Sequence, residues 1–179
     1  MTNIKKFEFE LEGISPIKMH RFNGQDEEKK LRERSTTEQA EKHAYRLTNG
    51  NLGLPSNWVY GSLLNAFVAL AGRKEKTATK METGSRIRVE PFMLDLGVKD
   101  YEIDVASAPA GNMSRGGTRD EFVKPVIKAW KVKGIIQTTL GKSLEDMKSY
   151  LEYAGTDVGI GSDRPHGYGR FKVISFKQI

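Results

Sequence analysis

The most specific pattern in the sequence is AGTDVGIGSDRPHGYGRF, residues 154–171. Glycine lets a backbone adopt positive φ and approach a ligand closely, while cations bind phosphates and aromatic rings stack on bases. The pattern predicts a loop that binds a nucleic-acid backbone, and the alternative is a tight structural turn with solvated cations. The predicted binding residues are Gly159, Gly161, Arg164, His166, Gly167, Tyr168, Gly169 and Arg170.

The elements on either side of this glycine loop limit the families to which it can belong. Upstream, the apolar spacing predicts a helix over residues 143–154, with Ser143 as its N-cap. Downstream, residues 171–176 are typical of a strand. The order helix, loop, strand excludes a dinucleotide-binding fingerprint and a phosphate-binding P-loop, because both place the glycines between a strand and a following helix.

Hydrophobic periodicity predicts the rest of the core. Residues 7–11 alternate as in a half-buried strand, residues 57–71 have helical spacing with Ser56 or Asn57 as the cap, and residues 126–140 form one long strand. Two shorter strands are predicted over residues 86–96 and 101–106. The order β-α-β-β-α-β predicts an α+β, ferredoxin-like (RRM-like) fold made of one domain, residues 1–179.

Two segments interrupt this pattern. Residues 26–48 are rich in charge and poor in apolar residues, which indicates an exposed helix or a partly ordered insertion. Residues 107–122 break every periodicity, which indicates a mobile basic loop or the tip of a long hairpin. Turn residues occupy positions 49–55.

The amino-acid composition indicates what kind of partner the protein binds and in which cell compartment it works. The chain of 179 residues has a formal net charge of +6, which makes a polyanionic partner plausible. It has no cysteine, which removes disulfides and thiolate metal sites and fits a reducing cytoplasm. Neither a membrane span nor a signal peptide is visible, so we expect a cytoplasmic protein. No cofactor is indicated, and no His, Asp or Glu cluster has metal-ligand spacing.

Residues 155–173 and 53–64 together resemble segments of the RAMP superfamily, the RRM-like proteins of CRISPR antiviral defence. The first resembles the family's terminal glycine loop and closing strand, and the second resembles the start of its first helix. The resemblance implies a subunit that holds single-stranded guide RNA through its backbone, as an oligomer or with other effector subunits in a ribonucleoprotein. It also implies that residues 107–122 match the thumb hairpin, with Met113 as a wedge between bases and Arg115 and Arg119 beside it.

The resemblance leaves two other functions open. Where the family usually carries a cation shortly after the helix glycine, this chain has Ser62 after Gly61, so it also fits a mobile-element mimic of an effector subunit. The second of these functions, after the subunit mimic, is that of a metal-independent endoribonuclease. In such an enzyme a base activates the 2′-hydroxyl and an acid protonates the leaving oxygen. The catalytic candidates are His20 and His166, because histidine titrates near neutral pH, and Asp26 by loose similarity to the family.

Overall fold

The structure is a computed structural model that describes residues 3–71, 76–110 and 118–179. Its strands are β1 (Lys5–Gly13), β2 (Ile17–Lys18), β3 (Gly53–Pro55), β4 (Ile87–Glu90), β5 (Met93–Asp95), β6 (Glu102–Ala110), β7 (Thr118–Ile127), β8 (Lys131–Thr138) and β9 (Phe171–Gln178). Its α-helices are α1 (Gln25–Leu31), α2 (Thr36–His43), α3 (Ser56–Leu70), α4 (Lys76–Gly84) and α5 (Leu144–Tyr153). The chain is therefore a mixed α+β protein.

The main sheet has four antiparallel strands in the order β4-β8-β1-β9. Its inner face carries the predicted alternation of β1, because Phe7, Phe9 and Leu11 are all buried. Helices α3 and α5 pack on each other, and α3 contacts β4 while α5 contacts β9. Their buried side chains, which include Leu63 and Met147, complete one hydrophobic core with the sheet.

The two long helices begin in different ways. Ser143 is the N-cap of α5 as predicted, and it forms a reciprocal capping box with Asp146. Helix α3 has no side-chain cap, so the predicted cap at Ser56 or Asn57 is wrong. Ser56 is instead the first helical residue and follows Pro55, whose backbone N–H is absent and whose φ of −59° suits a helix start.

The single long strand predicted over residues 126–140 is also wrong. The segment divides into β7 and β8, which lie in different sheets, with a bend at residues 128–130. Trp130 fixes the bend, because its ring is buried and its Nε1 donates a 2.9 Å hydrogen bond to the carbonyl of Ser15. Val126, Trp130, Val132 and Ile136 share one parity on the two sides of the bend, with Lys128 as the polar exception, so periodicity alone did not reveal it.

A second antiparallel sheet has the order β2-β7-β6. Strands β6 and β7 form a hairpin that remains paired from Glu102↔Val126 to Ala110↔Thr118. Residues 107–110 and 118–122 of the predicted loop therefore extend a hairpin, the second of the two expected forms. Met113 and Arg115 lie outside the described residues, and Arg119 pairs with Pro109 in the ladder.

The charged segment 26–48 contributes α1 and α2, which are mostly exposed but bury Leu31, Ala40 and His43. Helix α2 packs against β7 of the hairpin. Residues 53–55 form strand β3 rather than a turn, and α4 was not predicted. In the described ranges, no helix has the length and apolar character needed to cross a membrane.

Candidate nucleic-acid interface

The glycine loop begins where α5 continues into one π-helical turn, Ala154–Val158. Helix α5 reaches this point because Met147 and Leu151 are buried on one face. The turn packs tightly on β9, since a Cβ on Gly155 would overlap the backbone of Phe171. Gly159 then ends the helical path with a φ of +75°, a conformation that glycine adopts without strain. The loop therefore leaves the helix in a fixed direction.

All four loop glycines have positive φ, but they face different surroundings. A Cβ on Gly159, Gly161 or Gly169 would collide with backbone oxygens of Tyr168, Lys18 and Ile160, respectively. A Cβ on Gly167 would meet no atom of the described residues within 4 Å. Three of the four predicted backbone-approach positions therefore let the loop pack on its own protein, and Gly167 alone of these four faces open space.

Ion pairs attach the loop to the base of the hairpin. Asp163, which has a left-handed φ of +60°, lies 2.9 Å from Nζ of Lys124 and 3.4 Å from Nζ of Lys18. Lys18 also lies 2.7 Å from Asp104, and its Nζ is 4.0 Å from the ring centroid of Tyr168. Burial opposes the ionisation of Asp163, but the two lysines outweigh it and hold the pKa of that carboxyl below its usual range. Tyr168 therefore takes part in this attachment.

A groove of about 400 Å³ lies between the glycine loop, α3 and the end of α5. Its polar lining includes Arg164, Arg170, Asn65, Asp157 and Tyr153. Within the described ranges, neither guanidinium forms a hydrogen bond or an ion pair with a protein group. Nη1 of Arg170 is also buried without an acceptor. A buried donor of this kind is costly unless an acceptor reaches it.

The outer face of the main sheet differs from this groove, because its lysines face glutamates. Lys131 and Lys172 lie 3.0 and 2.6 Å from Glu12. The pairs Lys133–Glu10 and Lys177–Glu8, at 3.3 and 3.1 Å, extend the same ladder. A face on which these charges alternate in sign offers little attraction to a polyanion.

In the described ranges, no hydrogen bond or ion pair joins the catalytic candidates to one another. His166 is exposed in a 3-10 turn (Arg164–His166), and no hydrogen bond, ion pair or ring contact joins it to His20 in the part of the chain that the structure describes. Asp26 is exposed in the first turn of α1. Burial, with His43 and Lys124 nearby, lowers the pKa of the His20 imidazole.

His20 instead lies beside two residues that sequence reasoning missed. Its ring centroid is 4.6 Å from that of His43, and Nε2 of His43 is 3.2 Å from Oε2 of Glu28. The three residues come from a loop and two helices, so no sequence spacing relates them. His43 is buried on α2 together with Ala40, a position that only the folded structure reveals.

Neither protein-family models nor curated proteins match this sequence. Solved structures do match. One is a chain in the structure of the type III-B Cmr-beta bound to cognate target RNA, with a TM-score of 0.58 and 11% identity over 98% of this chain. The alignment spans only 61% of that longer chain.

The second is Cmr6 from Pyrococcus furiosus, with a TM-score of 0.52 and 12% identity. It is matched over 96% of this chain and 98% of its own. Both structural neighbours are type III-B CRISPR subunits of the RAMP family. The fold of this chain is therefore the fold of those RAMP-family subunits.

Proposed function

We propose that the chain binds single-stranded RNA through its sugar–phosphate backbone, as a subunit of a CRISPR-type ribonucleoprotein. The observation that carries this proposal is the pair Arg164 and Arg170, which line one groove and form no ion pair with any acidic residue that the structure describes. Guanidinium groups form two parallel hydrogen bonds to phosphate oxygens. A phosphate would also supply the acceptor that Nη1 of Arg170 lacks.

The ion pairs of the lysines support the placement of the RNA-binding site in the arginine groove. Lysines in the loop attachment and on the outer sheet face have carboxylate partners within 3.4 Å. Their positive charge is therefore largely neutralised within the protein. His166 and Gly167 are exposed beside the groove and extend the proposed surface.

The proposed core is ferredoxin-like. When β2, β3, β5–β7, α1, α2 and α4 are set aside, the remaining elements run β1-α3-β4-β8-α5-β9. The order β4-β8-β1-β9, with every neighbour antiparallel, supports this assignment. The structural neighbours, one of them from the type III-B Cmr-beta structure bound to cognate target RNA, support the CRISPR-type setting.

The test compares two double variants that remove the same charge. Arg164→Ala with Arg170→Ala removes the proposed phosphate contacts, and Lys131→Ala with Lys133→Ala removes two cations from the outer sheet face. Fluorescence anisotropy with two unstructured RNAs of different sequence, over a range of salt, measures the affinity. The arginine variant should bind both RNAs about tenfold more weakly, and its log–log salt slope should become shallower by about 1.4, since each phosphate contact contributes about 0.7.

Equal losses in both double variants would contradict the groove and indicate binding by net charge alone. Cleavage of the labelled RNA in EDTA would instead favour the endoribonuclease. Association with effector subunits in nuclease-treated samples would favour the subunit mimic. The first outcome would overturn the groove as the binding site, and the other two would replace the proposed function with a different one.

The β6–β7 hairpin is proposed as the thumb that lies across the RNA, with Met113, Arg115 and Arg119 at or near its tip. Its support is the ladder that continues to Ala110↔Thr118. Replacing residues 111–117 with Asn-Gly, a two-residue hairpin turn, should leave thermal unfolding unchanged and weaken multimeric assembly on RNA in analytical ultracentrifugation. Unchanged assembly would contradict the thumb.

A further inference from the structure

A cluster of three side chains lies where the segment after β2 meets α1 and α2. One potential ligand atom from each of His20, Glu28 and His43 lies within 4.8 Å of the other two. None of these residues lines the arginine groove. We propose that they bind one divalent transition-metal ion, with zinc preferred, through Nε2 of His43, Oε2 of Glu28 and a ring nitrogen of His20.

The hydrogen bonding of His43 leaves its Nε2 available as a metal ligand. Its Nδ1 lies 2.7 Å from the carbonyl oxygen of Val123, and because a carbonyl only accepts, Nδ1 carries a hydrogen. In the neutral ring, Nε2 then presents a lone pair to Oε2 of Glu28, 3.2 Å away. These lone pairs repel unless a proton or a cation lies between them. Metal-bound histidines commonly donate their other ring N–H to a backbone carbonyl in this way.

Hydrogen bonds also orient the Glu28 carboxylate as a metal ligand. Its Oε1 accepts hydrogen bonds from the backbone N–H of Asn23 at 3.1 Å and from Nδ2 of Asn23 at 3.2 Å. These two bonds leave Oε2 directed at His43. In protein metal sites, a ligating carboxylate is commonly held in place by hydrogen bonds from neighbouring groups, and Asn23 would hold Glu28 in this way.

His20 supplies the third nitrogen. Its backbone is fixed on both sides, since Met19 donates to the carbonyl of Pro125 and Arg21 donates to that of His43, each at 3.0 Å. Its ring forms no hydrogen bond with any residue in the described ranges. A partly buried imidazole without a hydrogen-bond partner lowers the stability of the fold. A bound metal ion would supply the missing partner.

Zinc fits this donor set. Two imidazoles and a carboxylate are zinc ligands at about 2.0–2.2 Å, which places tetrahedral ligand atoms roughly 3.3 Å apart. His43 and Glu28 already have this spacing at 3.2 Å, and the ring nitrogen of His20, within 4.8 Å of both atoms, would have to approach by up to about 1.5 Å to complete it. The nearby cation Lys124 is neutralised by Asp163 at 2.9 Å. Three protein ligands leave the fourth position for water.

The test is direct metal binding by the full chain, without a histidine tag. Protein freed of metal with a chelator is dialysed against buffered Zn²⁺, and bound zinc is counted by mass spectrometry. We expect one ion per chain, and Co²⁺ in its place should give the visible absorption of a four-coordinate site. His20→Ala and Glu28→Gln should each weaken zinc binding at least about tenfold.

His166→Ala is the matched control, because it removes the third histidine of the chain from an exposed turn outside the cluster. It should bind zinc as the unmodified chain does. Circular dichroism confirms folding of each variant, and the two ligand variants are chosen because truncation of buried His43 endangers the fold. Zinc well below one equivalent in the unmodified chain, or equal binding by His20→Ala and His166→Ala, would show that the cluster is not a zinc site and overturn the proposal.

Discussion

Nζ of Lys18 lies 4.0 Å from the ring centroid of Tyr168, so a strand of the second sheet holds the aromatic side chain of the glycine loop. The same ammonium group ion-pairs with Asp104 and Asp163. Lys18 is 5% exposed, which is unusual for lysine. The three interactions make it the centre of the loop attachment.

Lys18→Met should therefore lower the free energy of unfolding by about 2 kcal/mol, because it leaves two partly buried carboxylates short of a partner. Urea unfolding at neutral pH measures the change. Lys128→Met is the matched control, since Lys128 forms an exposed ion pair with Glu102 at 2.7 Å. It should cost about 0.5 kcal/mol or less. Equal losses would show that the Lys18 network does not stabilise the fold.

Gly169→Ala and Gly167→Ala should differ sharply although the positions are two residues apart. Both have positive φ, which alone costs alanine about 1–2 kcal/mol. At position 169 the new Cβ would also overlap the carbonyl of Ile160, whereas at 167 it meets open space. Thermal unfolding should show a loss near 1–2 kcal/mol at 167 and a clearly larger one at 169. Similar losses would refute the close packing of Gly169.

Acid should weaken the loop attachment through Asp163. The pKa of this carboxyl is lower in the folded chain than in the unfolded chain, so the unfolded state binds more protons between the two pKa values. The stabilisation is therefore present above about pH 4, the ordinary Asp pKa, and is lost as pH falls through the folded pKa. Urea unfolding between neutral and strongly acidic pH measures this dependence.

Asp163→Asn should lower stability at neutral pH and make its decline in acid shallower. Asp157→Asn is the control, because Asp157 is exposed and bonds to Thr156 rather than to a lysine. If the Asp163 variant declines in acid as steeply as the unmodified chain, other carboxyls control acid unfolding.

The sequence predicted those features that depend on local pattern. The alternation of Phe7, Phe9 and Leu11, the Ser143 cap and the helix–loop–strand order around Gly159 are all confirmed. The bend at Trp130 was not predictable, because its cause is the carbonyl of Ser15, 115 residues away. The glycines of the loop were recognised, but sequence cannot distinguish a glycine that faces its own backbone from one that faces a ligand.

The histidine cluster was invisible for a related reason. His20 and His43 are brought together by the backbone bond from Arg21 to the carbonyl of His43, a contact between a loop and the end of α2. Such contacts depend on the packed fold rather than on periodicity. Conversely, the lack of an acidic partner for Arg164 and Arg170 among the described residues depends on how the folded chain pairs its other cations, which the sequence does not show.

The ion pairs between the glycine loop and the hairpin base have a mechanical consequence. Lys18 and Lys124 belong to the sheet from which the hairpin projects, and both hold Asp163. These side chains link the hairpin base to the loop by a much shorter path than the 39 positions of chain that separate Lys124 from Asp163. A tilt of the hairpin base would therefore change both ion-pair distances at Asp163.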